Sequence, residues 1–421
     1  MGETLPDSRV DAARDAVGSA CEDVRSARED HVDGVPVGLV ARPTSTAEVA
    51  EVMRAAAAHG LTVVARGAGT KLTWGTPPTS ADLVVDLSAM DRVLDHAAGD
   101  LIVDTQAGTP LARLQETVAE QGQRLVLDET VCGATVGGTL SANTSGPERM
   151  LVGTARDLLI GVTVVRADGV VAKAGGRVVK NVAGYDLGKL VIGAHGTLAV
   201  ITEAVFRLHP LQPERRWLTA TADDAGSLHA LAQAVIHSQA VPGAVEIDAP
   251  ASGGGTIGVL LGGRPDGVAA RVEVVRALLG EDVTVSDTAP DGWAAYPWDV
   301  QATGDTRGTA LKLTFALSGL GTVLHATRAA GLHLRGSAGT GVAYGALASG
   351  TPVEETVAAV GAVRAACASV GGTCVVVDAP AAVKQAADVW GPVPALGLMR
   401  RVKDRFDPDH RLSPGRYVGG I

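Results

Sequence analysis

Three stretches in which glycine alternates with small residues constrain this chain more than anything else in it. The first, Arg66-Gly67-Ala68-Gly69-Thr70-Lys71, follows an apolar run at residues 61–65. The second, residues 134–146, contains Thr135, Gly137, Gly138, Ser141, Asn143 and Gly146. The third, residues 193–203, contains His195, Val200 and Ile201. Glycine accepts φ > 0 and close backbone approach, and successive N–H groups in such turns form concavities that hold anions. One stretch alone is weak evidence. Three in order point to one extended site for a large phosphate-bearing cofactor.

The residues suggest a division of labour. Amides around Gly67 to Lys71 would cradle phosphate oxygens, with Thr70 as a hydroxyl donor and Arg66 and Lys71 as charges; the plain alternative is a tight turn after a strand. The spacing is neither G-x-x-x-x-G-K-[ST] nor G-x-G-x-x-G, and no clean βαβ dinucleotide unit is expected around it. Gly137 and Gly138 would let a flat cofactor lie against the backbone, with Ser141 and Asn143 as hydrogen-bonding groups; the alternative is a buried crossing of close-packed chain. Alternating apolar residues at 198–201 predict a strand whose backbone would meet a heterocycle edge. Lys180, Tyr185 and Asp186 are candidate polar groups, with a structural salt bridge or capped turn as an equal alternative. Among ten histidines none has metal-ligand spacing, and His195 stands out only by its place in the third stretch. No metal site is expected and no catalytic residue is assigned.

Composition narrows the class. At 421 residues with 46% hydrophobic and 19% charged residues, the chain can bury two or three domains. A net charge of −10 and only 3% aromatics disfavour a nucleic-acid partner, although Arg400, Arg401, Lys403 and Arg405 form a candidate basic patch. Cys21, Cys132, Cys367 and Cys374 make no C-x-x-C pair and are expected as reduced core thiols. The polar first 31 residues do not read as a signal peptide, and no run reaches the roughly 18 apolar residues of a transmembrane span. The expected location is the cytoplasm.

A regular alternation of elements begins near residue 35. Ser45-Thr46-Ala47-Glu48 predicts a capping box, with Glu48 reaching the Ser45 amide, and a helix that Gly60 stops. Strands are expected at 61–65, 83–87 and 101–105. Thr109-Pro110 predicts an N-cap and N1 proline before a stripe of Leu111, Leu114 and Val118. Residues 159–166 and 169–174 form an expected hairpin. Beyond Pro210 helical patterns at 224–238, 268–279, 321–330 and 353–370 alternate with strand-like runs at 244–247, 256–261, 311–316 and 373–377. These predict a second α+β domain. No internal repeat is visible.

The wording of residues 134–146, 179–190 and 193–203, in this order, resembles the FAD-binding domain of the vanillyl-alcohol oxidase/p-cresol methylhydroxylase (PCMH-type) family. It is most similar to the FAD-binding E subunits of bacterial glycolate oxidase. The resemblance implies an α+β fold: an N-terminal arm (1–34), a two-subdomain FAD-binding domain (35–212), a C-terminal α+β cap domain (213–395) and a tail (396–421) returning to the FAD domain. It implies that residues 66–71 take the pyrophosphate. Thr135, Gly137, Gly138, Ser141 and Asn143 would line the flavin side, Val200 and Ile201 would hold the adenine end through their backbone, and Arg416 would return to the flavin. Some members attach the flavin through a histidine in the first loop or a cysteine before the second. Here residues 66–75 lack histidine and Cys132 is one residue off, so non-covalent FAD is expected.

A second departure concerns substrate. Relatives with a catalytic flavin subunit carry a Gly-His-Ala-Gly-Asp-Gly-Asn-like stretch. The corresponding Gly336-Ser337-Ala338-Gly339-Thr340-Gly341-Val342 keeps glycines without histidine or acid. The resemblance therefore implies an FAD-binding subunit of a glycolate oxidase-type complex that takes part in oxidising a 2-hydroxy acid. Its partners would be a second flavin subunit and an iron–sulfur subunit, with contact at the inner membrane face only through them. A self-sufficient flavin oxidase or dehydrogenase of a hydroxylated substrate, and a scaffold subunit that has lost FAD, are the alternatives. An NADPH-dependent reductase has no visible nicotinamide site.

Overall fold

The computed structural model describes residues 7–27, 29–177 and 186–421. The chain divides into two compact units. The first comprises Met1–Thr144, Thr154–Pro210 and Pro392–Ile421; the second comprises Ser145–Gly153 and Leu211–Gly391.

Among the described residues the first unit holds two five-stranded sheets and a two-stranded ladder of Gln123–Arg124 with His209–Pro210. In one, Val35–Ala41, Ala81–Asp86 and Val63–Arg66 run parallel in that order, with Val24–Ser26 antiparallel at the edge. Helix Thr46–Ala58 joins the two outer parallel strands, so a βαβ unit split by Ala81–Asp86 leads into the first glycine loop, which follows its second strand rather than opening its helix as in a dinucleotide unit. The Ser45 hydroxyl caps this helix by accepting from the Glu48 N–H at 3.2 Å. Glu48 reaches one residue further back than a capping box requires, accepting from the N–H and hydroxyl of Thr44 at 2.9 Å each. Val49, Val52, Met53 and Ala56 are buried, each of the larger ones contributing about 1.5–3 kcal/mol. The segment expected as an arm contains helix Asp7–Ala20, which packs on Thr46–Ala58 with Ala13 and Val17 buried.

The second sheet of this unit is antiparallel, in the order Val171–Gly175, Leu159–Val165, Val200–Arg207, Ile102–Gln106, Val93–Ala97. The Glu203 carboxylate ties it to the helix, accepting from the hydroxyls of Thr46 (3.0 Å) and Thr163 (2.8 Å). Before helix Leu111–Ala119 it is Pro110, not Thr109, that holds the N-cap position. The buried Thr109 hydroxyl is engaged instead by Thr105 at 2.9 Å and the Arg92 carbonyl.

Residues 392–421 complete this unit. The Val63 N–H donates to the Arg411 carbonyl and the Ser413 N–H to the Val63 carbonyl, both at 2.8 Å. This lays residues 411–413 beside the strand that enters the first loop. Helix Leu396–Phe406 is anchored by Lys403, which is fully buried and not part of a basic patch. Its ammonium donates to Asp407 Oδ2 (2.7 Å) and to the carbonyls of Thr197 (2.8 Å) and Leu412 (2.9 Å). Burial pushes the Lys403 pKa down, with Asp407 opposing.

The second unit is one eight-stranded antiparallel sheet. Helices Ala225–Ile236, Pro265–Leu279, Leu320–Ala329 and Val353–Ser369 share the core of one face. The order of elements reveals a repeat that composition and wording hide. Glu214–Ala222 to Thr284–Ser286 runs strand, helix, strand, strand, helix, strand, and so does Thr309–Thr314 to Cys374–Asp378. The two modules join where Ala244–Ala249 pairs with His333–Ser337. Cys367 and Cys374 lie in this core, and burial pushes their thiols up to about 11 and about 12. Cys132, by contrast, is exposed.

Candidate cofactor site

The first glycine stretch forms one wall of an open cleft built entirely within the first unit. Strand Val63–Arg66 ends at it, and the chain turns at Gly69, whose φ is +79°. Gly67 is fixed by sterics: a Cβ there would stand 2.1 Å from Thr135 Oγ1. Among the described residues, the N–H groups of Gly67, Ala68, Gly69, Thr70 and Lys71 donate to no protein acceptor. Five successive unspent donors on a cleft wall form a cradle for an anion.

The second stretch is a short helix, Val136–Ala142, rather than a loop. Thr135 caps it by accepting from the Gly138 N–H at 3.3 Å, and the Gly137 N–H donates to the Ala107 carbonyl at 2.7 Å. Gly137 therefore serves close packing, since a Cβ there would lie 2.8 Å from that of Ala107. Thr135, Gly137, Gly138 and Ser141 line the cleft. Asn143 does not: it is the αL residue that ends the helix, and its buried Oδ1 lacks a hydrogen-bond partner among the described residues. Gly146 lies outside, in the second unit, where its carbonyl accepts from Arg149.

In the third stretch Ile201 and His195 line the cleft, while Val200 is fully buried behind it. Strand Val200–Arg207 pairs with Ile102–Gln106 only from Glu203 onward, which leaves that side of Val200 and Ile201 without this neighbour. His195 adopts φ +51° with its ring centroid 5.6 Å from that of Tyr417. Lys180 and Tyr185 lie outside the described residues. Asp186 is exposed and sits 3.6 Å from Lys189.

The charges in the cleft are unequal. Arg66 is paired with Asp86 at 2.6 Å. Burial alone would raise the Asp86 pKa, but the Ser88 N–H and Arg66 outweigh it and hold the carboxyl below its usual range. Among the described residues Lys71 has no carboxylate in contact; burial lowers its pKa to about 8 against the opposing field of Glu129, and its ammonium touches the Thr70 hydroxyl at 3.3 Å. Arg416 reaches the cleft but works on the loop, with Nη2 donating to the carbonyls of Lys71 (3.2 Å), Leu72 and Trp74 (3.2 Å). The Lys403–Asp407 anchor went unnoticed in the sequence, although a Lys and an Asp at i,i+4 on a terminal helix were visible there.

Residues 37–175 match a family model described as an FAD binding domain. Glycolate oxidase subunit GlcD of Bacillus subtilis is 30% identical over 218 residues, 51% of this chain and 46% of that protein. D-lactate dehydrogenase of Archaeoglobus fulgidus is 33% identical over 172 residues, 41% of this chain and 39% of that protein. These matches span about half the length of the relatives or less. Among solved structures, substrate-bound p-cresol methylhydroxylase superposes with a TM-score of 0.73 at 13% identity, covering 99% of this chain and 98% of that one. An alkyldihydroxyacetonephosphate synthase superposes with a TM-score of 0.71 at 14% identity, covering 99% and 87%. The fold, the matched domain and the glycine cradle converge: the chain carries an FAD binding domain over residues 37–175 and shares the fold of p-cresol methylhydroxylase.

Proposed function

We propose that this chain is an FAD-dependent oxidoreductase acting on a 2-hydroxy acid, with FAD held without a covalent bond in the cleft of the first unit. The observation that carries the placement is the run of five unspent amides from Gly67 to Lys71. A pyrophosphate there gains charge-assisted hydrogen bonds from the main chain, and the Lys71 ammonium adds the nearest mobile charge. Arg416 and the Thr135 cap keep loop and helix in register, so the cradle is in place before any ligand arrives. FAD, when bound, supplies a two-electron acceptor. Glycolate, lactate and 2-hydroxyglutarate, named for three relatives, share one group, a hydroxyl beside a carboxylate. The finer reading is a subunit of a glycolate oxidase-type complex that passes electrons to partner subunits, one with a second flavin and one with iron–sulfur clusters.

Two measurements test this. The purified chain is expected to be yellow and to release FAD on heating, with no flavin left on the protein. A colourless chain that takes up no added FAD overturns the cofactor placement. Anaerobic glycolate or D-lactate is expected to bleach the flavin, while steady turnover with a quinone acceptor should require the partners. Brisk turnover by the chain alone would favour a self-sufficient dehydrogenase.

A further inference from the structure

The cradle loop has little of its own to hold it in shape. Among the described residues the N–H groups of Gly67 to Lys71 donate to no protein acceptor. What fixes the loop must therefore act on its carbonyls and its ends. The C-terminal tail does this with three buried cations, Lys403 (0% exposed), Arg411 (6%) and Arg416 (4%). Each donates to main-chain carbonyls of segments that build or adjoin the cleft.

Arg411 acts at the entry to the loop. Its Nη1 donates to the Leu61 carbonyl at 3.3 Å, just before strand Val63–Arg66. Its Nη2 donates to the carbonyl of Ala167, in the turn between Leu159–Val165 and Val171–Gly175. One planar fork thus ties the first sheet of this unit to the second, which a single-point ammonium could not do. Leu412 then runs parallel to the strand at Val63. Arg416, further along the tail, grips the far side of the loop at Lys71, Leu72 and Trp74. Lys403 takes the third stretch by donating to the Thr197 carbonyl, next to the cleft-lining Gly196. The nearest carboxylate to Arg411 is the exposed Asp409, 3.8 Å away. Burying a guanidinium with so little counter-charge is costly, and what it achieves is geometric: carbonyls of two sheets fixed on one side chain.

We propose that Arg411 and Lys403 are positioning residues for the FAD site. Neither lines the cleft. Through carbonyls they hold the strand that enters the cradle and the third stretch beside it, and so keep the five amides convergent before a diphosphate arrives. This rests on the cofactor placement above and extends it to residues outside the cleft.

The test is the FAD dissociation constant of the full chain, stripped of flavin and titrated again. Arg411→Met is expected to weaken FAD binding at least about tenfold, with Arg411→Lys recovering part of it. Met53→Ala, a cavity in the core of the same unit, is the control: it should lower the melting temperature and leave FAD affinity unchanged. The double variant Lys403→Met, Asp407→Leu removes the buried pair together. It should melt above Lys403→Met alone, yet bind FAD more weakly than the parent. Parent-like affinity in Arg411→Met and in the double variant, or an equal loss in Met53→Ala, overturns the proposal. A parent that takes up no FAD overturns the cofactor placement instead, and amide exchange of the flavin-free chain then decides this point. There Arg411→Met should speed exchange at Leu72 and Trp74, whose N–H groups close the turns of the loop on Gly69 and Lys71, and Met53→Ala should not. Unchanged exchange in Arg411→Met overturns the positioning role.

Discussion

The cleft and the tail that braces it are two different ways of using the polar groups of the backbone. The cleft is main chain: unspent N–H groups, glycines that permit close approach, and a cap from Thr135, with Arg66 already neutralised by Asp86. The tail is side chain: Lys403, Arg411 and Arg416 reach from one terminal segment to carbonyls such as those of Thr197, Leu61 and Lys71. A main-chain site depends on local conformation and tolerates exchange of the side chains around it. A side-chain clasp depends on identity at each position and on the register that brings the positions together.

The contrast can be broken by substitutions that reach the cradle by different routes. The largest effect is expected from Lys403→Met, which leaves the fully buried Asp407 without its cation. That should cost about 3–5 kcal/mol in urea denaturation and shed FAD. Gly67→Val drives a side chain into Thr135; an overpacking cost of about 1–3 kcal/mol and loss of flavin absorbance are expected, with amide exchange at Ser413 unchanged. Thr135→Ala removes the cap of Val136–Ala142 and should cost about 1 kcal/mol, read as a lower melting temperature and weaker FAD retention. The smallest effect concerns pH. In the flavin-free chain the Lys71 cation is lost as pH rises through about 8. A bound pyrophosphate raises that pKa, so FAD binding takes up protons above pH 8 and its affinity should fall between about pH 8 and 10. Lys71→Met should flatten this dependence, with a change of about fivefold or less at pH 7. If Gly67→Val also frees the Ser413 amide from Val63, cradle and tail are one cooperative structure rather than two.

The same contrast explains what the sequence disclosed. The glycine cradle was legible because its signal is local: Gly67 to Lys71 are consecutive, and their conformational demand is written in residue type. The helix at Val136–Ala142 was missed because its glycines and small residues have poor helix propensity; the Thr135 cap and packing on Ala107 supply what propensity lacks. The resemblance implies Asn143 and the Val200 backbone as site residues, and the second glycine stretch suggests Gly146. An αL turn and a crossing into the second unit keep Asn143 and Gly146 out of the lining, and the Val200 side chain is buried behind the wall, which leaves only its backbone for the role the resemblance implies. Arg149 and Tyr344, hydrogen-bonded in the second unit, stand 195 residues apart in the chain, so no window contains the pair. The doubled strand–helix–strand–strand–helix–strand module was hidden because it repeats in topology, not in residues.

The stitching of residues 411–413 to Val63 has a consequence for synthesis. The ribosome delivers the phosphate cradle early, then makes all of Leu211–Gly391 before residues 411–413, which brace the strand leading into the cradle, emerge. At about 5–20 residues per second that interval is on the order of ten seconds or more. Nascent chains should therefore capture flavin only after the second unit has been translated.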